Sequence, residues 1–222
     1  AAHQLKTPLA GLRMQAELAQ RENSPEELQR SLEQIADSST RATRLVQQLL
    51  SLARMENTNK LSEKILIDLS QSAADATKNW LSAAWEKNID LGYQSNQQSY
   101  KMYGNPVMLK ELFNNLLDNA IKYTPNNGTV TVDVRHANQA GLLIVEVKDT
   151  GPGIPPEERQ RVLERFYRVL GSDIEGSGLG LAIVKEIATQ HGGKLEILEN
   201  IYQESPLKYG TCMRVYLPVG TP

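Results

Sequence analysis

In the segment KELFNNLLDNAIKYT, residues Asn115, Asn119, Lys122 and Tyr123 recur at spacings of four, three and one, which puts them on one face of a helix. Leu112, Phe113, Leu116, Leu117, Ala120 and Ile121 form its apolar side. An amide oxygen can ligate hard Mg²⁺, an ammonium can balance a phosphate, and a tyrosine ring offers a surface to a base. A plain solvated helix face is the competing reading. In KDTGPGIP, Asp149 ends an alternating apolar strand and precedes Gly151 and Gly153, a turn whose backbone can approach a ligand closely. A carboxylate there can accept from the exocyclic amine of adenine, although Asp and Gly also make ordinary turns.

In EGSGLGLAIVKEI, Gly176, Gly178 and Gly180 lead into an apolar helix, with Ser177 and Leu179 between them. Unpartnered N–H groups at a helix start, together with its dipole, favour phosphate. The order is not GxxxxGK[ST], and no strand runs directly into it, so neither a P-loop nor a dinucleotide fingerprint is present. Between the two glycine segments lies LERFYRVL. Its Phe166 and Tyr167 read as hydrophobic anchors, and Arg165 or Arg168 can reach a phosphate. Residues 169–177 are glycine-bearing and poor in apolar side chains, as a lid over a ligand would be.

These groups need elements to hold them. Leu5, Leu9, Leu12, Ala16 and Ala19 share one stripe at about 100° per residue, so residues 3–21 read as an amphipathic helix. At Ser24-Pro25-Glu26-Glu27 a second helix starts, with Ser24 as cap, Pro25 in the first position and Glu27 closing a capping box. There Leu28, Ile35, Ala42 and Leu49 recur every seven residues, as do Leu32, Ser39, Val46 and Ala53. A hairpin cannot bury such a seam alone, so a homodimer through residues 3–55, closed as a four-helix bundle, is expected.

Beyond about residue 58 the pattern turns mixed. A strand at 65–69, a helix at 70–87, a strand at 89–94 and a helix at 106–123 are followed by strands at 129–136 and 142–149. Two short helical pieces, a helix at 178–191 and strands at 194–199 and 211–217 complete the chain. The fold class is α+β: a helical hairpin (1–58), then an α/β sandwich (59–222) with a largely antiparallel sheet and helices on one face.

Composition sets limits. The 222 residues carry 24 Lys plus Arg against 26 Asp plus Glu, so no basic surplus exists to drive nucleic-acid or anionic-membrane binding. The single cysteine, Cys212, can form no internal disulfide, which fits a reducing cytosol. No run approaches the roughly 18 apolar residues of a span, so no membrane contact by this stretch is expected. His136 and His191 read as structural, the latter as a cation favoured by a helix C-terminus.

In order and spacing, HQLKTP, NNLLDNAIKYT, DTGPGI, ERFYR and GSGLGL resemble the H, N, G1, F and G2 boxes of sensor histidine kinases, over nearly the whole chain. The resemblance implies a dimeric histidine-phosphotransfer bundle and a Bergerat-type ATP-binding domain that uses ATP and Mg²⁺. It implies His3 as phosphoacceptor, Asn119 as Mg²⁺ ligand, Asp149 as adenine contact, and Lys122 and Arg168 as phosphate contacts. Asn115, Tyr123, Gly151 and Gly153 would line the site, and the loop through Ser177, Gly178, Leu179 and Gly180 would cradle phosphate. The phosphoryl group would pass to an aspartate of a response-regulator receiver domain. It further implies a cytoplasmic fragment of an inner-membrane sensor protein.

ATP-hydrolysing members of the wider fold, such as type II topoisomerases, carry a Glu base one turn before the Mg²⁺-binding Asn. This chain has Asn115 there, and an amide cannot take that proton. His3 falls about 160° from the apolar stripe, with Thr7 one turn on, and is expected to be exposed. Most family members follow the histidine with Glu or Asp, whereas this chain has Gln4. Its carbonyl oxygen can orient the imidazole but cannot act as base. Retained but slower autophosphorylation is therefore expected, with Thr7 placed to position a water for regulator dephosphorylation. The alternative is a nucleotide-binding regulator phosphatase or scaffold whose kinase step Gln4 has crippled.

Overall fold

The computed structural model describes residues 2–22, 24–57, 64–96, 99–138, 141–169, 174, 176–201 and 209–220. At 2–5, 7, 8, 54–57, 201 and 209 it describes the backbone alone. The chain divides into two compact units, Ala1–Asn57 and Thr58–Pro222.

The first unit is a hairpin of α1 (Ala2–Ala19) and α2 (Pro25–Asn57). α2 opens with Pro25 and the acidic Glu26 and Glu27 in its first turn, where the helix dipole favours negative charge. The Ser24 hydroxyl donates to the Glu26 carboxylate at 2.8 Å, a side-chain contact in place of the backbone bonds a capping box would use. Ala19 and Leu52 are buried, whereas Leu9, Leu18, Leu28, Leu32, Val46 and Leu50 remain exposed. The apolar surface of α2 thus exceeds what the hairpin covers by itself. Among the described residues no helix is long and apolar enough to cross a membrane.

In the second unit β1 (Ile65–Asp68) pairs antiparallel with β3 (Lys101–Gly104), while β2 (Asp90–Ser95) joins the main sheet. That sheet also contains β4 (Thr129–His136), β5 (Leu142–Asp149), β6 (Lys194–Ile201) and β7 (Tyr209–Pro218), in the order β2-β4-β5-β7-β6. β2 runs parallel to β4 and every other neighbour is antiparallel. β3 is absent from the sequence reading, because KMYG has no β-branched run such as the ILI of β1 to mark it.

Val130, Val132, Val134, Leu143, Val145, Val147, Val215 and Leu217 point to one sheet face and are buried. Leu109, Leu112, Phe113, Leu116 and Leu117 of α5 (Pro106–Tyr123) and Ile183 and Ile187 of α6 (Gly180–Gln190) supply the buried helical side. Each such side chain withdrawn from water contributes about 1.5–3 kcal/mol. Asn105 caps α5, its Oδ1 accepting from the Val107 and Met108 N–H groups at 3.0 Å each, with Pro106 next as the first helical residue. The opposite face carries a cross-strand row, Asp133, Glu146, Arg214 and Glu196. Glu146 is buried there and pairs with Arg214, Arg135 and Lys148.

Two expectations need correction. The helix read as 70–87 is two, α3 (Leu69–Asn79) and α4 (Leu81–Glu86), broken at Trp80. The Trp80 indole N–H donates to the Asn114 side chain of α5 at 3.2 Å, a contact from another element that no local pattern reports. The other correction is His191, which is not a dipole-stabilised cation. It is buried; its Nε2 accepts from the Asn105 N–H at 3.1 Å and its Nδ1 lies 2.8 Å from the Ile187 carbonyl. Burial holds its pKa below 6.5. The neutral Nδ1–H tautomer satisfies both contacts and ties the end of α6 to the start of α5.

A depressed histidine pKa means that the unfolded chain binds the proton first. Its stabilising contribution is therefore present above pH 6.5 and is lost as pH falls through the lower folded value. Urea unfolding at pH 7.5 and 5.5 should show a larger acid-induced loss for the natural chain than for His191→Gln, which accepts the Asn105 N–H but does not titrate.

Candidate functional site

The end of β5 places Asp149 beneath the turn Thr150–Gly153. Its side chain is buried, and Oδ1 accepts from the Gly151 N–H at 2.8 Å and the Thr211 N–H at 3.1 Å. Burial raises its pKa from 3.8 to about 6, against the lowering effect of these two N–H groups and of the Thr211 hydroxyl. The Gly151 and Thr211 N–H groups and the Thr211 hydroxyl orient the group as an acceptor, the chemistry that an exocyclic amine requires.

The backbone around Asp149 is equally constrained. The Asn200 side-chain amide donates to the Asp149 carbonyl at 2.9 Å, reaching from β6 across β7 to β5. It passes where β7 has Gly210, at which a Cβ would overlap that same carbonyl. A Cβ at Gly151 would stand 2.9 Å from Asp149 Oδ1 and from the Tyr123 carbonyl, so the turn lies directly against the end of α5. Gly153 has φ 76°, a conformation open to glycine.

α5 supplies the facing groups. Asn119, Lys122 and Tyr123 are half-buried on its last turns, and the Lys122 Nζ lies 5.8 Å from the Tyr123 ring centroid. Asn115 is more enclosed than a solvated face would leave it, and its amide donates to the Glu111 carbonyl at 2.9 Å. The glycine loop sits close to this face. A Cβ at Gly180 would be 3.2 Å from Asn115 Oδ1 and 3.6 Å from Asn119 Nδ2, and one at Gly176 would be 2.6 Å from Lys122 Nζ. The start of α6 is therefore brought over Asn115 and Asn119 at Gly180, and Gly176 in the preceding loop lies beside the Lys122 ammonium.

Leu179 is fully buried, and its N–H donates to the Ser177 hydroxyl at 3.2 Å, which folds the loop onto its helix. Gly178 has φ 68°, and its carbonyl accepts from the Phe166 N–H at 2.8 Å. Phe166 itself has φ 66°, a strained value for a bulky residue that costs roughly 1–2 kcal/mol. The phenylalanine segment and the glycine loop are thus held together by backbone. Tyr167 is held by polar contacts as well as packing: its hydroxyl donates to Glu158 at 2.5 Å and its ring lies 4.3 Å from the Arg161 guanidinium. Arg168 donates to the Ile174 carbonyl at 2.5 Å and so shapes the loop. Of the lid expected over 169–177, residues 170–173 and 175 lie outside the described residues.

The structure thus brings together Asp149, Gly151, Asn115, Asn119, Lys122, Tyr123, Gly176 and Gly180. His3, Gln4 and Thr7 belong to the helical backbone of α1, and their side chains, including the expected exposure of His3, lie outside the described residues. Sequence reasoning missed Thr211, Gly210 and Asn200. GTC in a strand offers a glycine and a hydroxyl but no hint of which neighbouring strand they meet. Chemically, the site offers a buried acceptor at one end, and at the other a cation, amides and a glycine-rich helix start suited to a polyanion.

Comparison with known proteins agrees with this chemistry. Residues 104–221 match the family described as histidine kinase-, DNA gyrase B-, and HSP90-like ATPase, and residues 1–58 match the His kinase A (phospho-acceptor) domain. The sensor protein QseC of Salmonella typhi is 42% identical over 193 residues, covering 86% of this chain and 42% of that protein. The chain therefore spans less than half the length of that curated relative. The solved structure of the mycobacterial sensor histidine kinase MprB is 31% identical with a TM-score of 0.60, covering 70% of this chain and 97% of that one. A structure of the histidine kinase ThkA in complex with the response regulator protein TrrA shares the fold over 99% of this chain and 60% of that one, with 20% identity and a TM-score of 0.76.

The notch at Gly210 yields a stability prediction. Gly210→Ala should cost about 1–3 kcal/mol, because the added methyl overlaps the Asp149 carbonyl. Gly92→Ala, at a β2 position with nothing within 4 Å, should be neutral or slightly stabilising. Urea unfolding of the two variants checks the contrast.

Proposed function

Because the chain belongs to the sensor histidine kinases, we propose that it is the phosphotransfer and catalytic portion of such a sensor. In this reading it binds Mg²⁺·ATP between α5 and the glycine loops and transfers the γ-phosphoryl group to His3. The group then passes to an aspartate of a response-regulator receiver domain. The observation that carries the reading is the pairing of a buried carboxylate, Asp149, with a cation-bearing helix face and a helix start stripped of side chains. ThkA was solved with such a regulator, and the hairpin 1–58 matches a phospho-acceptor domain.

We assign residues 1–58 to dimerisation and phosphotransfer and 59–222 to catalysis. The uncovered Leu28, Leu32 and Val46 support pairing with a second copy as a four-helix bundle. We place this portion on the cytoplasmic side of an inner-membrane sensor protein, following the family resemblance.

Each residue has a task. Asp149 accepts from the adenine amine, and the Tyr123 ring flanks the base. Lys122, beside Gly176, offsets phosphate charge, while the Ser177–Gly180 loop, apart from the Leu179 N–H engaged by the Ser177 hydroxyl, would turn N–H groups to the phosphates. Asn119 is the expected Mg²⁺ ligand. Mg²⁺ is bound through few protein oxygens together with substrate phosphates and water, and an amide oxygen at the half-buried Asn119 fits that chemistry. Mg²⁺, when bound, would neutralise charge on the transferring group. The neutral His3 ring nitrogen attacks the γ-phosphorus in line, forming an N–P bond as the bond to the β,γ-bridging oxygen breaks and ADP leaves. Gln4 holds the ring without removing its proton, and Thr7 is placed for a water in regulator dephosphorylation. Arg168, engaged with the Ile174 carbonyl, would exchange that contact to touch a phosphate.

Hydrolysis as the main reaction is disfavoured, since Asn115 is an amide hydrogen-bonded within its own helix. The crippled-scaffold alternative gains no support from the family matches.

Incubation with γ-labelled ATP and Mg²⁺ tests the reading. Label on the protein that survives alkali, is lost in acid and is absent from His3→Ala is expected. Label persisting in His3→Ala, or phosphate release without protein label, would overturn it.

A further inference from the structure

Lys87 lies in the turn between α4 and β2, outside every motif described above. It is half-buried, and its Nζ donates to three main-chain carbonyls, those of Ile121 at 2.8 Å, Lys122 at 3.1 Å and Thr124 at 2.6 Å. These close the C-terminus of α5, where a helix leaves carbonyls without intrahelical partners and carries partial negative charge. An ammonium has three donors and no acceptor, so its capacity is matched to the three oxygens. Burial lowers its pKa, as expected for a cation held mostly by neutral carbonyls.

The stem of Lys87 is also fixed. Its N–H donates to the Ala84 carbonyl at 3.1 Å, its own carbonyl accepts from the Asn127 N–H at 3.1 Å, and the neighbouring Asp90 N–H donates to Gly128 at 2.9 Å. The turn thus grips the chain on both sides of the α5 terminus. The last two turns of α5 carry Asn119, Lys122 and Tyr123, and Lys122 is itself one of the residues whose carbonyl Lys87 holds. Asp149, by contrast, is held from the sheet by Thr211 and Asn200, and from its own turn by Gly151, which lies against the Tyr123 carbonyl at the end of α5.

We propose that Lys87 is a positioning residue for the phosphate end of the nucleotide site, fixing the terminal turn of α5 so that Lys122 and Asn119 meet the glycine loop. This rests on the ATP-binding reading above. Losing the ammonium would let that turn fray and displace Lys122 and Asn119 together with the Tyr123 ring, while Asp149 keeps its sheet-borne donors from Thr211 and Asn200. A purely structural cap would instead lower stability and affect both ends of the ligand alike.

The test is the ratio of two dissociation constants on the 222-residue chain. Mg²⁺·AMP-PNP is measured by calorimetry and adenosine by NMR titration, for the natural chain and for Lys87→Met, Lys87→Gln and Lys87→Arg. Partial unfolding weakens both ligands by one factor and leaves the ratio unmoved. The ratio should shift about tenfold against AMP-PNP in Lys87→Met, less in Lys87→Gln, and stay within about threefold of the natural value in Lys87→Arg. If Lys87→Met does not fold, Lys87→Gln decides. An unchanged ratio in the folded uncharged variants would overturn the proposal. A natural chain that binds neither ligand would sink the nucleotide reading itself, a result distinguishable from the first.

Discussion

A carboxylate buried at the end of a central strand is the constraint around which the catalytic unit is arranged. Removing Asp149 from water is costly, and three hydrogen-bond donors offset only part of that cost, which leaves its pKa near 6. Every donor requires a particular neighbour. Gly151 must turn back within two residues, β7 must run at the register that brings Thr211 alongside, and Gly210 must lack a side chain so that its strand can approach. β5 lies between β4 and β7. The acceptor is therefore tied to the sheet interior and not to a mobile loop.

The rest of the pocket divides between two supports. The sheet fixes the acceptor end. The end of α5, closed by Lys87, carries the cation and amides at the other, and the glycine loop at Gly176 and the start of α6 at Gly180 lie close against them. Phe166 and Gly178 join the intervening segment to the loop through one backbone hydrogen bond, at the expense of an unfavourable φ on a bulky residue. Strain of this kind persists where surrounding contacts over-determine the backbone, as at ligand sites.

Much of this was legible in the sequence where a pattern is local and long. The bounds of α5, β4 and β5 coincide with the apolar periodicities, and the heptads of α2 mark a continuous helix. Asp149 and its glycines stand out because carboxylate, strand end and turn residues are adjacent. What stayed hidden depends on partners far along the chain. The break at Trp80 answers to Asn114, the neutral state of His191 to Asn105, and the role of Lys87 to carbonyls 34 or more positions away. Asn200 reaches Asp149 only because an intervening strand has a gap, which composition cannot announce.

The account's central claim is that Asp149 is a buried, ionisable acceptor that meets the ligand. The most direct measurement is its carboxyl carbon shift followed by NMR against pH, with and without saturating ADP. The unliganded group should titrate near 6, and the ligand's donor, favouring the charged form, should lower that value by about one unit or more. A titration near the ordinary 3.8, or one unmoved by nucleotide, would contradict the account.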